Sequence, residues 1–328
     1  MKTLITGPDG LLGSNIVRVY LDAGHDVRVF VLPNSTSTTL DDLPVERFEG
    51  NLLSRESVEE AVAGCDYVVH AGANTSVWPP RSKIIRDVNI VGTENIVEAC
   101  LKHQIKRLIY VSSAASYEFG TKEQPGDEKG AFKGYLYGLD YIDSKYEAHV
   151  LVEKACQERN LPAVIICPTF MFGPYDSKPS AGAMILAIYN RKLPGYTVGG
   201  KNFVDARDVA QATYNALEKG RIGESYIAGH VNLNYEELFG IIGKTLDVKP
   251  PSLAMPAGLM LFYGRLNTFL ANIFGFKPGV TLPVAKISND GQYFTPAKAV
   301  KELDMPQTPI EVAIKDAFEW MQANGVKA

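Results

Sequence analysis

Short hydrophobic runs alternate with longer stretches of helical periodicity through the first half of the chain. The runs predict strands at 2–5, 26–32, 47–49, 67–70, 107–112 and 163–167, and the periodic stretches predict helices at 11–23, 56–63, 84–103 and 141–159. Strands and helices in this succession imply parallel strands joined by crossover helices, an α/β Rossmann-type doubly wound parallel sheet. After Pro168 proline and glycine become frequent and the pattern loosens. A helix is expected near 184–192, and the run 202–216 is expected to return to the sheet edge. The very apolar stretch 253–276 reads as a buried or lid helix, and 309–322 as a terminal helix.

Composition narrows the picture. The 328 residues are 46% hydrophobic and carry a formal net charge of −4, so the core is ample and no nucleic-acid partner is implied. Four scattered cysteines show neither metal-ligand spacing nor a disulfide framework; no metal is expected, and a reducing, cytoplasmic location fits. Met1 leads directly into an apolar strand, without the regions of a signal peptide. Pro256, Gly264, Arg265 and Asn267 break the 253–276 stretch, so it is not a membrane span, and membrane contact is not expected.

Chemistry enters at the first turn. Thr6-Gly7-Pro8-Asp9-Gly10-Leu11-Leu12-Gly13 follows a predicted strand and opens a predicted helix. This is the arrangement a pyrophosphate needs: Gly7 for a tight turn, Gly10 for close backbone approach, Gly13 for helix–strand packing, and a helix N-terminus supplying N–H donors. A site for NAD commonly has an acid at the end of the second strand; here stands Leu32-Pro33-Asn34-Ser35, without an acid until Asp41. No arginine lies in the loop, although Arg28 precedes it. Asn34 and the hydroxyls could hold a 2′-phosphate, so the expected cofactor is NADP ahead of NAD.

Tyr141 and Lys145 are the only Tyr-x-x-x-Lys pair among 16 tyrosines. One helical turn apart, they share a face, and the ammonium is expected to favour the phenolate. Tyr141 could then pass a proton to a carbonyl oxygen or take one from a hydroxyl. Ser113, at the end of a predicted strand beside Ser112, could bond the same oxygen. Spacing alone would be chance; position after the Ser112-Ser113 strand, in a chain with a nucleotide cradle, decides for catalysis. His70 reads as structural, and Asp205 with Asp208 as helix-capping acids.

With these motifs the chain resembles the extended short-chain dehydrogenase/reductases, the NAD-dependent epimerase/dehydratase superfamily, over nearly its whole length. The resemblance also rests on Asn51-Leu52, His70-Ala71-Gly72-Ala73, Val88-Asn89-x-x-Gly92-Thr93-x-Asn95, Pro168-Thr169, Phe172-Gly173-Pro174 and Val204-Asp205-x-x-Asp208-Val209-Ala210. It implies Ser113, Tyr141 and Lys145 as a catalytic triad. It further implies that Thr6, Leu11, Leu12, Asn51, Leu52, Ala71, Gly72, Ala73, Ser112, Pro168 and Thr169 join the glycines at the cofactor. Residues 1–168, with 200–230 returning, would form the dinucleotide domain, and 169–199 with 231–328 the substrate lobe.

Nucleotide-sugar members usually have Asn where Phe170 stands and arginines for the diphosphate; Arg265 is the only arginine after Arg221. The pattern looks most like the dihydroflavonol-reductase and 3β-hydroxysteroid-dehydrogenase-like branch. A carbonyl reductase or alcohol dehydrogenase of a small-to-medium, partly apolar substrate is expected. A nucleotide-sugar epimerase or dehydratase and a non-catalytic nucleotide sensor are the alternatives. Phe170, Phe172, Met184, Met260, Phe262 and Tyr263 could line the substrate pocket or simply pack the lobe. Helices 84–103 and 141–159 suit a homodimer interface, though their apolar stripes also suit packing on the sheet.

Overall fold

The computed structural model describes residues 1–327. In chain order the strands are β1 (Lys2–Thr6), β2 (Asp26–Val31), β3 (Glu46–Glu49), β4 (Tyr67–His70), β5 (Arg107–Val111), β6 (Ala163–Pro168), β7 (Phe170–Phe172), β8 (Tyr196–Thr197), β9 (Gly200–Asp205), β10 (Ser225–Ala228), β11 (Val231–Asn234), β12 (Ala254–Met255) and β13 (Gly291–Gln292). The helices are α1 (Leu11–Asp22), α2 (Arg55–Val62), α3 (Lys83–Lys102), α4 (Asp140–Arg159), α5 (Gly182–Tyr189), α6 (Ala206–Asn215), α7 (Tyr235–Thr245), α8 (Ala257–Phe274), α9 (Leu282–Asn289), α10 (Ala297–Leu303) and α11 (Ile310–Ala323).

Seven strands form one parallel sheet in the order β10-β6-β5-β4-β1-β2-β3. Its central strands are apolar at nearly every position because both faces are covered. Alternate side chains serve opposite layers: Ile5, Val29, Val69, Ile109 and Val164 pack with Ile16, Tyr20 and Val209 under α1 and α6. Leu4, Phe30, Val68, Tyr110 and Ile165 pack with Val58, Ile96 and Val152 under α2, α3 and α4. Strand order reverses between β1 and β4, and there the loops leaving the two strands meet.

A second sheet is built around β9, with β11 antiparallel and β7 and β13 parallel to it. Phe203, Ile185, Leu238, Ile242 and Ile314 form its core with α5, α7 and α11. Asn234 and Glu237 close a reciprocal capping box that starts α7, each bond 2.8 Å.

Two expectations are corrected here. The strand in 202–216 does not join the main sheet; β9 is the centre of the small sheet, and β10 occupies the main edge. Strands of two residues, such as β13, carry no periodicity, so the small sheet left no pattern to read. Of the two readings of 253–276, buried or lid helix, the first is corrected: α8 buries only Met260, Gly264 and Ala271.

Candidate active site

The first turn after β1 puts Gly7 in left-handed backbone (φ +64°), and a Cβ there would lie 2.7 Å from the Gly72 Cα. A Cβ on Gly13 would fall 2.0 Å from the Gly7 carbonyl oxygen, so α1 can approach the turn only without a side chain. Gly10 is the N-cap of α1 and has no side chain to satisfy the first-turn amides. Those N–H groups, including that of Leu11 on the cavity wall, suit an anion, and a dinucleotide pyrophosphate fits this cradle.

Beneath the cradle a buried chain of hydrogen bonds fixes the geometry. The Gly72 N–H donates to the Thr6 hydroxyl at 3.0 Å, and Thr6 lies 2.7 Å from the His70 Nδ1. The His70 Nε2 lies 3.1 Å from the Thr93 hydroxyl, which itself donates to the Asn89 carbonyl at 2.7 Å. Thr93 gives its proton to Asn89 and so accepts from an Nε2–H; in the neutral ring Nδ1 then accepts from Thr6. Burial, aided by the Lys145 charge, pushes the His70 pKa down to about 3.

An unfolded chain protonates histidine near 6.5, so stability is complete above that pH and falls as acid is added toward pH 3. The full loss is about 5 kcal/mol from the pKa difference. Urea midpoints from pH 7 to 4 should therefore fall less steeply in His70→Gln than in the wild type; parallel slopes would refute the assignment.

The Asn89-x-x-Gly92-Thr93-x-Asn95 segment of α3 serves the same end. Asn89 accepts from the Asn74 N–H at 2.7 Å and donates to the Asn74 carbonyl at 3.1 Å, holding the loop after β4. Its amide also donates to Ser144 at 2.9 Å, and Ser144 donates to the Tyr141 carbonyl at 3.1 Å. Asn95 donates to the Leu52 carbonyl at 2.8 Å. Asp140, not singled out in the sequence, anchors the start of α4 through Arg81 at 2.9 Å and the Ser82 N–H at 2.6 Å.

Tyr141 and Ser113 border one cavity of about 1130 Å³. Burial raises the Tyr141 phenol above its ordinary pKa, and the Ser113 hydroxyl beside it pulls it partly back. The expected depression by Lys145 is not what this geometry gives. The Lys145 ammonium donates to the Val111 carbonyl at 2.7 Å and to the Tyr110 hydroxyl at 3.3 Å. It is buried, and burial lowers its pKa to about 8.

Of the residues predicted at the cofactor or pocket, Gly7, Leu11, Asn51, Leu52, Gly72, Ala73, Pro168, Thr169 and Phe170 line the cavity with Tyr141 and Ser113. Thr6, Leu12, Gly13, Ala71 and Lys145 do not line it, and Gly10, exposed at the start of α1, stands between the lining residues Asp9 and Leu11. Ser112 is buried, held 2.8 Å from the His149 Nδ1, and does not line the cavity. Asn34 is exposed in a left-handed turn outside the wall, whereas Ser35 lines it. Arg28 is engaged by Glu46 at 2.9 Å and by the carbonyls of Ala61 and Ala63, so it is not free for a phosphate.

Phe172 is a core residue stacked on Phe203 (centroids 5.7 Å apart); Phe170, two residues earlier on the same face of β7, also packs on Phe203 but reaches the cavity. Met184 packs against the lobe core, Met260 is buried, and Phe262 and Tyr263 face outward. Tyr137, Ile287 and Phe294, which carried no sequence signal, stand on the wall instead. So does Lys201, whose ammonium bonds Gln292 and stands 5.8 Å from the Phe170 ring. Burial lowers the Lys201 pKa to about 8. Asp205 caps α6 and grips Arg207, and Asp208 accepts from the Thr308 N–H and hydroxyl at 2.6 and 2.7 Å; both acids are structural.

A model of the NAD dependent epimerase/dehydratase family matches residues 3–229. The chain is 31% identical over 331 residues to a Synechocystis protein named for dihydroflavonol 4-reductase, covering 98% of this chain and 94% of that one. It is 26% identical over 345 residues to the decarboxylating sterol-4-alpha-carboxylate 3-dehydrogenase of Candida albicans, covering 98% and 97%. Among solved structures, that of gox2253 superposes with a TM-score of 0.87 at 32% identity, covering 99% of both chains.

Proposed function

This chain belongs to the NAD dependent epimerase/dehydratase family of NAD(P)-dependent oxidoreductases, and we propose that it is a carbonyl reductase or alcohol dehydrogenase of a partly apolar small molecule. The observation that carries this reading is Tyr141 beside Ser113 on a cavity that Phe170, Tyr137, Ile287 and Phe294 also wall. The bound nicotinamide supplies or accepts the hydride. Ser113 would hold the carbonyl oxygen, and Tyr141 would give it a proton as negative charge develops. Lys145, fixed by Val111 and Tyr110, would tie the start of α4, and with it Tyr141, to the end of β5.

Relatives named for flavonol and sterol reactions support a fused-ring or aromatic substrate class. Among the described residues no arginine borders the cavity, which disfavours a diphosphate-bearing substrate. NADPH is the favoured reductant, because no acid borders the cavity at the end of β2 to repel a 2′-phosphate. The test is NADPH or NADH oxidation with a panel of aromatic and alicyclic ketones. Carbonyl-dependent oxidation supports the reading. Tightly retained NAD⁺, with interconversion of sugar nucleotides instead, would replace it with an epimerase.

Among the lysines lining the cavity, Lys201 stands beside the Phe170 ring, and a polar substituent of the substrate is expected to meet it. Lys201→Met should raise KM about tenfold with kcat little changed, the loss of one charge-assisted bond. Its ammonium is protonated below about pH 8, so in the wild type KM should rise as pH passes that value. A KM flat from pH 7 to 9 in both proteins would remove Lys201 from substrate binding.

A further inference from the structure

Helix α8 is amphipathic in the wrong sense for a soluble protein. Leu259, Phe262, Leu266, Phe269 and Ile273 fall three or four residues apart and form one stripe, and that stripe faces outward. Phe262 is 65% exposed, Phe269 61% and Phe274, one residue beyond the stripe, 72%. The helix is nonetheless firmly seated. A Cβ on Gly264 would lie 2.8 Å from that of Ala285, and Thr268 accepts from the Leu282 N–H at 2.9 Å, so α8 and α9 form a close-packed hairpin. Exposed apolar surface of this extent, held rigid, marks a contact surface.

Charge identifies what it contacts. Between Asp247 and Asp290 the chain has no acid, while Lys249, Arg265, Lys277 and Lys286 are all exposed. Acids outnumber Lys and Arg in the whole chain, 37 to 33, so this segment is set apart. A second copy docked through a two-fold axis would bring this basic face against itself with no acid to pair it. A bilayer with anionic headgroups answers both features: acyl chains take the phenylalanines, and lipid phosphates take the cations.

We propose that the α8–α9 hairpin is a membrane-surface docking element that seats the protein on anionic bilayers, with α8 lying in the interface. This reverses the expectation from sequence that membrane contact is absent. No helix of the described residues is long and apolar enough to cross a membrane, which suits an element that lies on the surface. The same hairpin carries Lys277, Val284 and Ile287 on the cavity wall, so the docked face adjoins the pocket. The surface stands whether or not the reductase reading holds.

Flotation of the full chain with phosphatidylcholine vesicles, with and without phosphatidylglycerol, tests the proposal. Wild-type protein should float with the phosphatidylglycerol vesicles, less with the neutral ones, and release as salt is raised. Phe262→Ser/Phe269→Ser/Phe274→Ser should weaken partition about tenfold or more, since each outward ring contributes burial only in the bilayer. Its melting temperature should not fall. Arg265→Glu/Lys286→Glu should abolish the preference for phosphatidylglycerol. Failure of the wild type to float overturns the proposal without recourse to any variant. So does undiminished flotation of a folded triple variant. A concentration-dependent dimer that the triple variant dissolves, with no vesicle binding, would assign the face to a second copy instead.

Discussion

Tyr141→Phe is expected to lower kcat by about a hundredfold to ten-thousandfold, the range for loss of a positioned general acid, or about 3–5 kcal/mol in the barrier. The removed hydroxyl has Ser113 as its neighbour and supports no part of the fold, so melting temperature and nucleotide affinity should stay close to wild type. Steady-state rates with the best carbonyl substrate, beside NADPH titration of the same sample, give both halves. A variant that binds nucleotide and turns over at the wild-type rate would remove Tyr141 from the chemistry. Lost binding would mean that the ring, not its proton, is what matters. Lys145→Met should be comparably slow, but for a different reason. Its ammonium ties α4 to the Val111 carbonyl at the end of β5, so its removal loosens the placement of Tyr141 against Ser113.

The second large effect concerns the cradle, where two glycines should behave differently. In Gly13→Ala the new methyl meets the Gly7 carbonyl oxygen at 2.0 Å and the Pro8 Cα at 2.9 Å, both backbone atoms that cannot swing aside. Stability should fall by about 1–3 kcal/mol, the usual range for overpacking, and nucleotide affinity by about tenfold or more as α1 shifts from the turn. Gly10 has φ −82°, which alanine adopts freely, and a Cβ there would have its nearest neighbour at 3.7 Å. Gly10→Ala should therefore melt near the wild type and still bind nucleotide more weakly, because the methyl stands where the pyrophosphate approaches. Thermal melts and NADPH titrations of the two variants separate fold from function. Equal destabilisation would contradict the packing argument, and undiminished affinity in both would remove the pyrophosphate from this turn.

The first half of the chain was legible because local pattern and global packing agree there. Except for β3, an exposed edge strand, the strands from β1 to β6 are largely buried on both faces, so each appears as an apolar run, and the covering helices repeat every 3.6 residues. The glycine turn was legible for the same reason, since Gly7 and Gly13 are dictated by backbone geometry within a few residues. The segment Asn89 to Asn95 was visible as a motif, but its purpose was not. Its side-chain and backbone roles reach Asn74, Leu52, His70 and Ser144, all distant in sequence.

Sequence by itself determined the doubly wound sheet, the cradle and the pairing of Tyr141 with Lys145 on one helical face, because each rests on spacing of a few residues. Tertiary structure alone decided the rest. It raised the Tyr141 phenol where sequence implied lowering, because burial depends on everything packed around the ring and not on the lysine one turn away. It brought Lys201 and Gln292 together across 91 positions, put Phe172 in the core and Phe170 on the wall, and turned the phenylalanines of α8 to the outside. An apolar helix reads the same from its sequence whether its apolar face meets a core or a bilayer. Only the position of its neighbours, here α9 on the side of Gly264 and Ala271, fixes which face is left free.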